Sequence, residues 1–162
     1  MKNWTELENS SFFDANARER ALGMVDKGTF TEFLNPLDRY CSPHLPVLGT
    51  AVEFDDGTVC GVGLLGKHPV FVVSMEGKFI GGAIGEVNGG KMVATIRLAL
   101  KAAADIKAKY PEEYTARRPL VAVSFETGGV RLHEANAGLL AHAEVMDAFL
   151  PRYRSGSSGS WQ

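Results

Sequence analysis

An α/β fold is predicted from two strand–glycine loop–helix units that follow one another along the chain, at residues 70–108 and 120–149. In each, a short apolar run suited to a buried strand (VFVVSM, LVAVSF) meets a glycine-rich junction. A stretch with the 3.6-residue period of an amphipathic helix follows. The third observation is where the 18 glycines fall. Gly61, Gly63 and Gly66 form one group, six lie between Gly77 and Gly90, and Gly128 and Gly129 form a pair. Glycine permits positive φ and close approach of backbone to a ligand, so clusters at junctions predict a backbone-lined site. Both junctions are expected at one end of one sheet, where open α/β sheets bind ligands.

Taken in order, residues 1–13 are expected to form a loose arm. Asp14 is placed to cap a helix through about Lys27, with Ala17, Ala21, Met24 and Val25 as its apolar stripe and Gly28 as its stop. Thr29 begins another expected turn, TFTEFL, closed by Asn35-Pro36. Pro36, Pro43 and Pro46 predict a surface loop over 35–48. Strands are expected from Ala51, with a turn at Asp55-Asp56-Gly57, a glycine-weakened strand from Thr58 to Leu65, and a return strand from Val70 to Met75. After the loop 76–85, a helix is predicted from Glu86 to Ala108. Met92, Val93, Ile96, Ala99, Leu100, Ala103 and Ile106 lie on its inner face, and Lys91, Arg97, Lys101 and Lys107 mostly outside. A polar connection precedes the strand Leu120–Phe125. The last helix is predicted from Arg131 to Phe149, with Leu132, Ala135, Leu139, Ala143 and Met146 inward and Pro151 ending it. Residues 151–162 end in a Ser/Gly-rich tail that is expected to be disordered.

Composition narrows the function classes. A chain of 162 residues fits one domain with a sizeable core. A net charge of −2 gives no electrostatic basis for binding nucleic acid. Cys41 and Cys60 have neither metal nor redox spacing, which suggests a reducing compartment. The polar N-terminus is not a signal peptide and the apolar runs are far shorter than a membrane span, so a cytoplasmic protein is expected. His44, His68 and His142 lie in unrelated contexts, and no Cys/His cluster points to a metal. Ser74 lacks the G-x-S-x-G frame of a hydrolase nucleophile.

Two stretches carry chemistry. In Glu126-Thr127-Gly128-Gly129-Val130, a strand meets a glycine pair and then a helix start, which leaves N–H groups able to face an anion. The amides of Gly128 and Gly129 are the candidate oxyanion donors, and a tight turn is the alternative reading. Gly85 to Lys91 satisfies G-x-x-x-x-G-K, but Met92 stands where a phosphate-binding loop needs Ser or Thr. The loop then shapes a pocket, with Lys91 near a phosphate of a CoA-like group or in solvent. Arg131 and Glu134, three apart, are expected to pair on the surface, fix the loop or contact a neighbouring subunit.

FIGGAIGEVNGGK (79–91) followed by ETGGVRLHEANAG (126–138) resembles the carboxyltransferase branch of the crotonase-like superfamily. That branch carries F-x-G-G-S-x-G-x-x-x-G-x-K and then S/T-G-G-x-R-x-Q-E. SFFDANARERALGMVDKGTFTEFL, SPHLP (42–46) and EANAGL (134–139) are similar, within it, to β subunits of biotin-independent malonate decarboxylases. Ala83 replaces the common Ser and His133 the common Gln, and neither change removes a backbone donor. The resemblance covers about residues 11–150. It implies a ClpP/crotonase fold of repeated β-β-α units, incomplete at the C-terminus, with a domain at 14–150.

Members of that family continue well past this point, where the present chain has RYRSGSSGSWQ. One permissible codon choice for the tail, shifted by one frame, encodes Val-Pro-Val-Gly-Leu-Ile-Gly, similar to the family's next strand. A frameshift or truncation is therefore expected, with appended vector sequence as the alternative. The resemblance implies decarboxylation of a malonyl thioester on an acyl carrier protein to the acetyl thioester, through an enolate held by backbone amides. Gly128 and Gly129 take the catalytic role, while Gly81, Gly82, Ala83, Gly85, Lys91, Val130 and Arg131 take the thioester pocket. No metal is implied and no cofactor bound directly. The prosthetic group, of dephospho-CoA type, sits on the acyl carrier protein. A γ subunit of the same fold is the other implied partner. Carboxyl transfer between acyl-CoA substrates, or an inactive fragment serving only as an interaction module, are the alternatives.

Overall fold

The structure, a computed structural model, describes residues 11–156 apart from 13, 39, 41 and 49–56. Most of the expected arm, Cys41, the expected start of a strand at Ala51 and the Asp55-Asp56 turn lie outside the described residues, as do residues 157–162. Four strands form one sheet in chain order: β1 (Thr31–Phe33), β2 (Thr58–Leu65), β3 (His68–Met75) and β4 (Leu120–Ser124). The first three pair antiparallel. β3 and β4 run parallel, from Val70 opposite Leu120 to Ser74 opposite Ser124. A parallel pair needs a long crossover. Helix α2 (Glu86–Lys109) supplies it, with a short α3 (Tyr114–Arg117) leading into β4. Both glycine junctions therefore leave the sheet at the same end.

The centre of the sheet is buried on both faces, and the alternation along β3 shows how. Val70 and Val72 pack with Val59 against Ala17, Ala21 and Val25 on one side. Val73 and Met75 pack with Cys60 against Met92, Ile96, Val145 and Ala148 on the other. A strand covered on both faces reads as a continuous apolar run, which is why VFVVSM stood out. Each fully buried valine contributes about 1.5–3 kcal/mol over exposure.

Four expected elements differ, the last helix most of all. Helix α1 (Ala17–Gly23) is shorter than the stretch from Asp14 to Lys27. Asn16, not Asp14, caps it, accepting from the Glu19 N–H while the Glu19 carboxylate accepts from the Asn16 N–H. The turn expected in TFTEFL is β1, because Phe30 and Phe33 gain apolar cover by pairing beside β2. The loop 35–48 is not merely superficial, because Ser42 and Leu45 are fully buried and Leu45–Leu48 forms a 3-10 turn.

The last helix, α4 (Asn136–Gly156), shows the largest change of phase. Residues 132–134 form a 3-10 turn, and Ala135 at φ 48° resets the register before the helix begins. The stripe expected inside (Leu132, Ala135, Leu139, Ala143, Met146) is exposed. Gly138, Val145 and Ala148 face the core instead. The helix carries apolar residues on two sides, so its period alone does not choose between them. Its backbone passes through Pro151, at the loss of one ladder hydrogen bond, so the proline does not end it. Among the described residues no helix is long and apolar enough to cross a membrane.

Candidate functional site

The two glycine loops, distant in sequence, are tied into one unit past the ends of β3 and β4. The Gly128 N–H donates to the Gly81 carbonyl at 2.8 Å. Beyond it, Ile84 N–H donates to Gly129 and Arg131 N–H to Ile84, each at 2.8 Å, so Ile84 and Val130 make a short parallel bridge. Parallel pairing of β3 with β4 thus resumes after an excursion of both chains, and the excursion is where the glycines lie.

The glycines divide into two kinds. Gly82, Gly85 and Gly128 allow close approach. A Cβ at Gly82 would stand 1.9 Å from the Glu126 carbonyl oxygen, one at Gly85 2.4 Å from the Glu134 carboxylate, and one at Gly128 2.9 Å from the Gly81 oxygen. Gly81 and Gly129 are different. Both hold positive φ, +63° and +109°, and a Cβ on either would meet nothing within 4 Å. These two border open space. Ile80, Gly81 and Gly82 are successive residues at positive φ. A β-branched residue there is strained by about 1–3 kcal/mol, and such strain gathers at functional sites.

The hydrogen bonds of these amides change the expected donors. The Gly128 N–H is engaged by Gly81, so it does not face a ligand as the sequence suggested. Among the described residues the Gly129 N–H meets only the Thr127 hydroxyl, at 3.0 Å, and that side chain is exposed. The Gly81 N–H has no hydrogen-bond partner among the described residues. It was expected only to shape the pocket. The signal that distinguishes it from Gly82 is three-dimensional: one neighbour packs, the other does not.

Other expected pocket residues serve the frame. Lys91 is buried, and its Nζ donates to the Thr58 carbonyl at 2.6 Å, so it neither reaches a phosphate nor lies in solvent. Arg131 is also buried, pairing with Glu134 and not lying on the surface. The Ala83 carbonyl accepts from Asn88 Nδ2 and Arg131 Nη2. Gly85 begins α2, its N–H held by Asn88 Oδ1 at 2.6 Å. Val130 lies in the bridge to Ile84.

Sequence reasoning missed the side chains that pin the site from outside. Arg20, 5% exposed, reaches the Ala15 and Met75 carbonyls and pairs with Glu126 beside the Gly128 loop. Its position between Ala17, Ala21 and Met24 on the apolar stripe was the available signal. Ser42 Oγ donates to Glu86 Oε1 at 2.7 Å, and His44 Nε2 stands 3.8 Å from the same oxygen. SPHLP is thereby fastened to the start of α2. A separate open cleft of about 560 Å³ lies between α2 and α4, lined by Val93, Ala94, Leu140 and Ala141 with Glu86 and Glu144. It contains none of the paired-loop glycines, and its one guanidinium, Arg97, is paired with Glu144, which leaves Glu86 and no net positive charge for an anion. Among the described residues no His, Cys, Asp and Glu groups gather as a metal site would need.

No family model matches the chain. It is 62% identical over 147 residues to the malonyl-S-ACP:biotin-protein carboxyltransferase MADC of Malonomonas rubra, covering 91% of this chain and 46% of that protein. It is 31% identical over 131 residues to the propionyl-CoA carboxylase β chain of Saccharopolyspora erythraea, covering 80% of this chain and 20% of that one. A chain in the crystal structure of a Pseudomonas malonate decarboxylase hetero-tetramer in complex with malonate matches with a TM-score of 0.77 at 37% identity, over 94% of this chain and 52% of that chain. The present chain spans about half the length of MADC and of the decarboxylase chain. Over nine tenths of its own length it is a homologue of malonate decarboxylase-type carboxyltransferases, and its four-stranded α/β fold follows theirs.

Proposed function

We propose that this chain is part of a carboxyltransferase-type subunit that converts a malonyl thioester, carried on an acyl carrier protein, to the acetyl thioester through an enolate held by backbone amides. The carrying observation is the tied pair of glycine loops, in which, among the described residues, the Gly81 amide has no partner and the Gly129 amide meets only a hydroxyl. When the bond from the carboxylate carbon to Cα breaks, its electron pair moves into the thioester and negative charge develops on the thioester oxygen. Fixed N–H donors at that oxygen stabilise the charge without reorganisation, each by about 3 kcal/mol. CO₂ leaves, and a proton delivered to Cα completes the acetyl thioester. Gly81 and Gly129 replace the pair Gly128 and Gly129 as the proposed donors.

The likeness to a Pseudomonas decarboxylase hetero-tetramer supports a second subunit as the assembly partner, in this reading a γ subunit of the same fold. The name of MADC supports an acyl carrier protein as the substrate carrier. The dephospho-CoA-type prosthetic group belongs to that carrier in this reading, and a cytoplasmic setting goes with it. One observation favours a second reading for the fate of the carboxyl group. The relative at 62% identity is named for transfer to a biotin protein, whereas the malonate decarboxylase structure matches at 37%.

An assay of the full-length subunit, assembled with its partner and given malonyl thioester, tests the proposal and separates the readings. Acetyl thioester and CO₂ without a biotinyl protein support direct decarboxylation. Product that requires a biotinyl protein and is blocked by avidin supports transfer. Gly129→Val is expected to lower kcat about 10²-fold or more in either case. An unchanged rate in that variant contradicts the assignment of Gly129.

A further inference from the structure

We propose that the buried Arg131–Glu134 pair is a clamp that fixes the separation of the two glycine loops. It deepens the proposed function and rests on it only for what the positioned amides do. Both side chains have no exposed surface, and Arg131 Nη1 donates to Glu134 Oε1 at 2.9 Å. From the second loop the pair reaches both ends of the segment that follows the first. Arg131 Nη2 donates to the Ala83 carbonyl at 3.1 Å, and Glu134 Oε2 accepts from the Glu86 N–H at 2.5 Å. The guanidinium also stands 5.5 Å from the centre of the Phe79 ring, just before Ile80 and Gly81. Gly85 completes the fit, because any Cβ there would occupy the space of the carboxylate.

Energetics argue for a positioning role over a merely cohesive one. Burying a carboxylate and a guanidinium is costly, and apolar side chains of similar volume often fill such a space with equal or better stability. Apolar side chains cannot accept from Glu86 N–H while donating to the Ala83 carbonyl. The pair therefore supplies direction as well as cohesion. Arg131 and Glu134 are positioning residues, acting on the thioester through the Gly81 and Gly129 backbones.

The test compares the parent 162-residue chain with Glu134→Gln and with the double variant Arg131→Met/Glu134→Leu, by thermal melting and peptide-resolved hydrogen exchange. The double variant removes both charges together and is expected to melt near the parent. Peptides covering 79–86 and 126–131 are expected to exchange about tenfold faster or more, while 68–75 keeps its protection. In the assembled full-length subunit, kcat is expected to fall about 10²-fold with KM changed less than about twofold, as for a small misplacement of catalytic groups. Parent-like exchange in the two loops overturns the clamp, and so does a uniform loss of protection that includes 68–75. If the double variant fails to fold, Glu134→Gln decides by the same comparison. If the loops loosen but the parent enzyme performs no malonyl-thioester chemistry, the clamp stands and the functional reading falls.

Discussion

Gly82→Ala is expected to unfold the junction of the two loops and to destabilise the chain by more than about 3 kcal/mol, the range reached when steric overlap and a strained backbone coincide. The added methyl would stand 1.9 Å from the Glu126 carbonyl oxygen and 2.8 Å from its carbon. Both are backbone atoms and cannot rotate aside. The position also holds φ +68°, which disfavours any L side chain. Retreat of either strand would break the hydrogen bond from Gly128 to Gly81, then the bridge between Ile84 and Val130. Urea denaturation monitored by far-ultraviolet circular dichroism measures this. A midpoint close to the parent's would mean that the loops are not joined as described.

Gly81→Ala, one residue away, is expected to do the opposite. Its methyl meets nothing within 4 Å, so the cost to stability is the left-handed backbone alone, about 1–2 kcal/mol. The same methyl enters the open space beside the Gly81 amide, where the thioester oxygen is proposed to sit. Loss of one such donor lowers kcat about 10²–10³-fold. Steady-state kinetics on the assembled full-length subunit, with melting measured in parallel, check the prediction. The contrast between adjacent glycines is the informative result. Equal effects on stability and rate at both positions would reduce the loop to a structural turn.

Much of this arrangement was legible in the sequence, for physical reasons that differ by element. β3 and β4 are short apolar runs between glycine junctions, and α2 keeps one apolar face through Met92, Val93, Ile96 and Ala99. Their local signals agree with the tertiary result. For α4 the local signal was ambiguous, because apolar residues at helical spacing lie on two sides and the phase is set by the kink at Ala135. β1 escaped notice because a three-residue strand takes its identity from pairing with β2, not from its own pattern.

At the site, the glycine motifs placed the chemistry but did not assign the donors. Which amides remain available depends on which carbonyls face them across the fold. Gly128 is engaged by a residue 47 positions earlier, and nothing in ETGG reveals that. Lys91 shows the same limit. A lysine closing G-x-x-x-x-G-K invites a phosphate, yet the helical turn carries it inward to the Thr58 carbonyl.

The central claim is that amides from the paired loops hold the thioester oxygen. Infrared difference spectroscopy with an acetyl thioester labelled with ¹³C at its carbonyl, bound to the assembled full-length subunit, tests it most directly. A carbonyl polarised by fixed donors absorbs at lower frequency than the same group in water. Such a downshift is expected in the parent protein, and its loss in Gly81→Ala with the thioester still bound. A bound carbonyl with the frequency it has in water, or a downshift unchanged in Gly81→Ala, would contradict it.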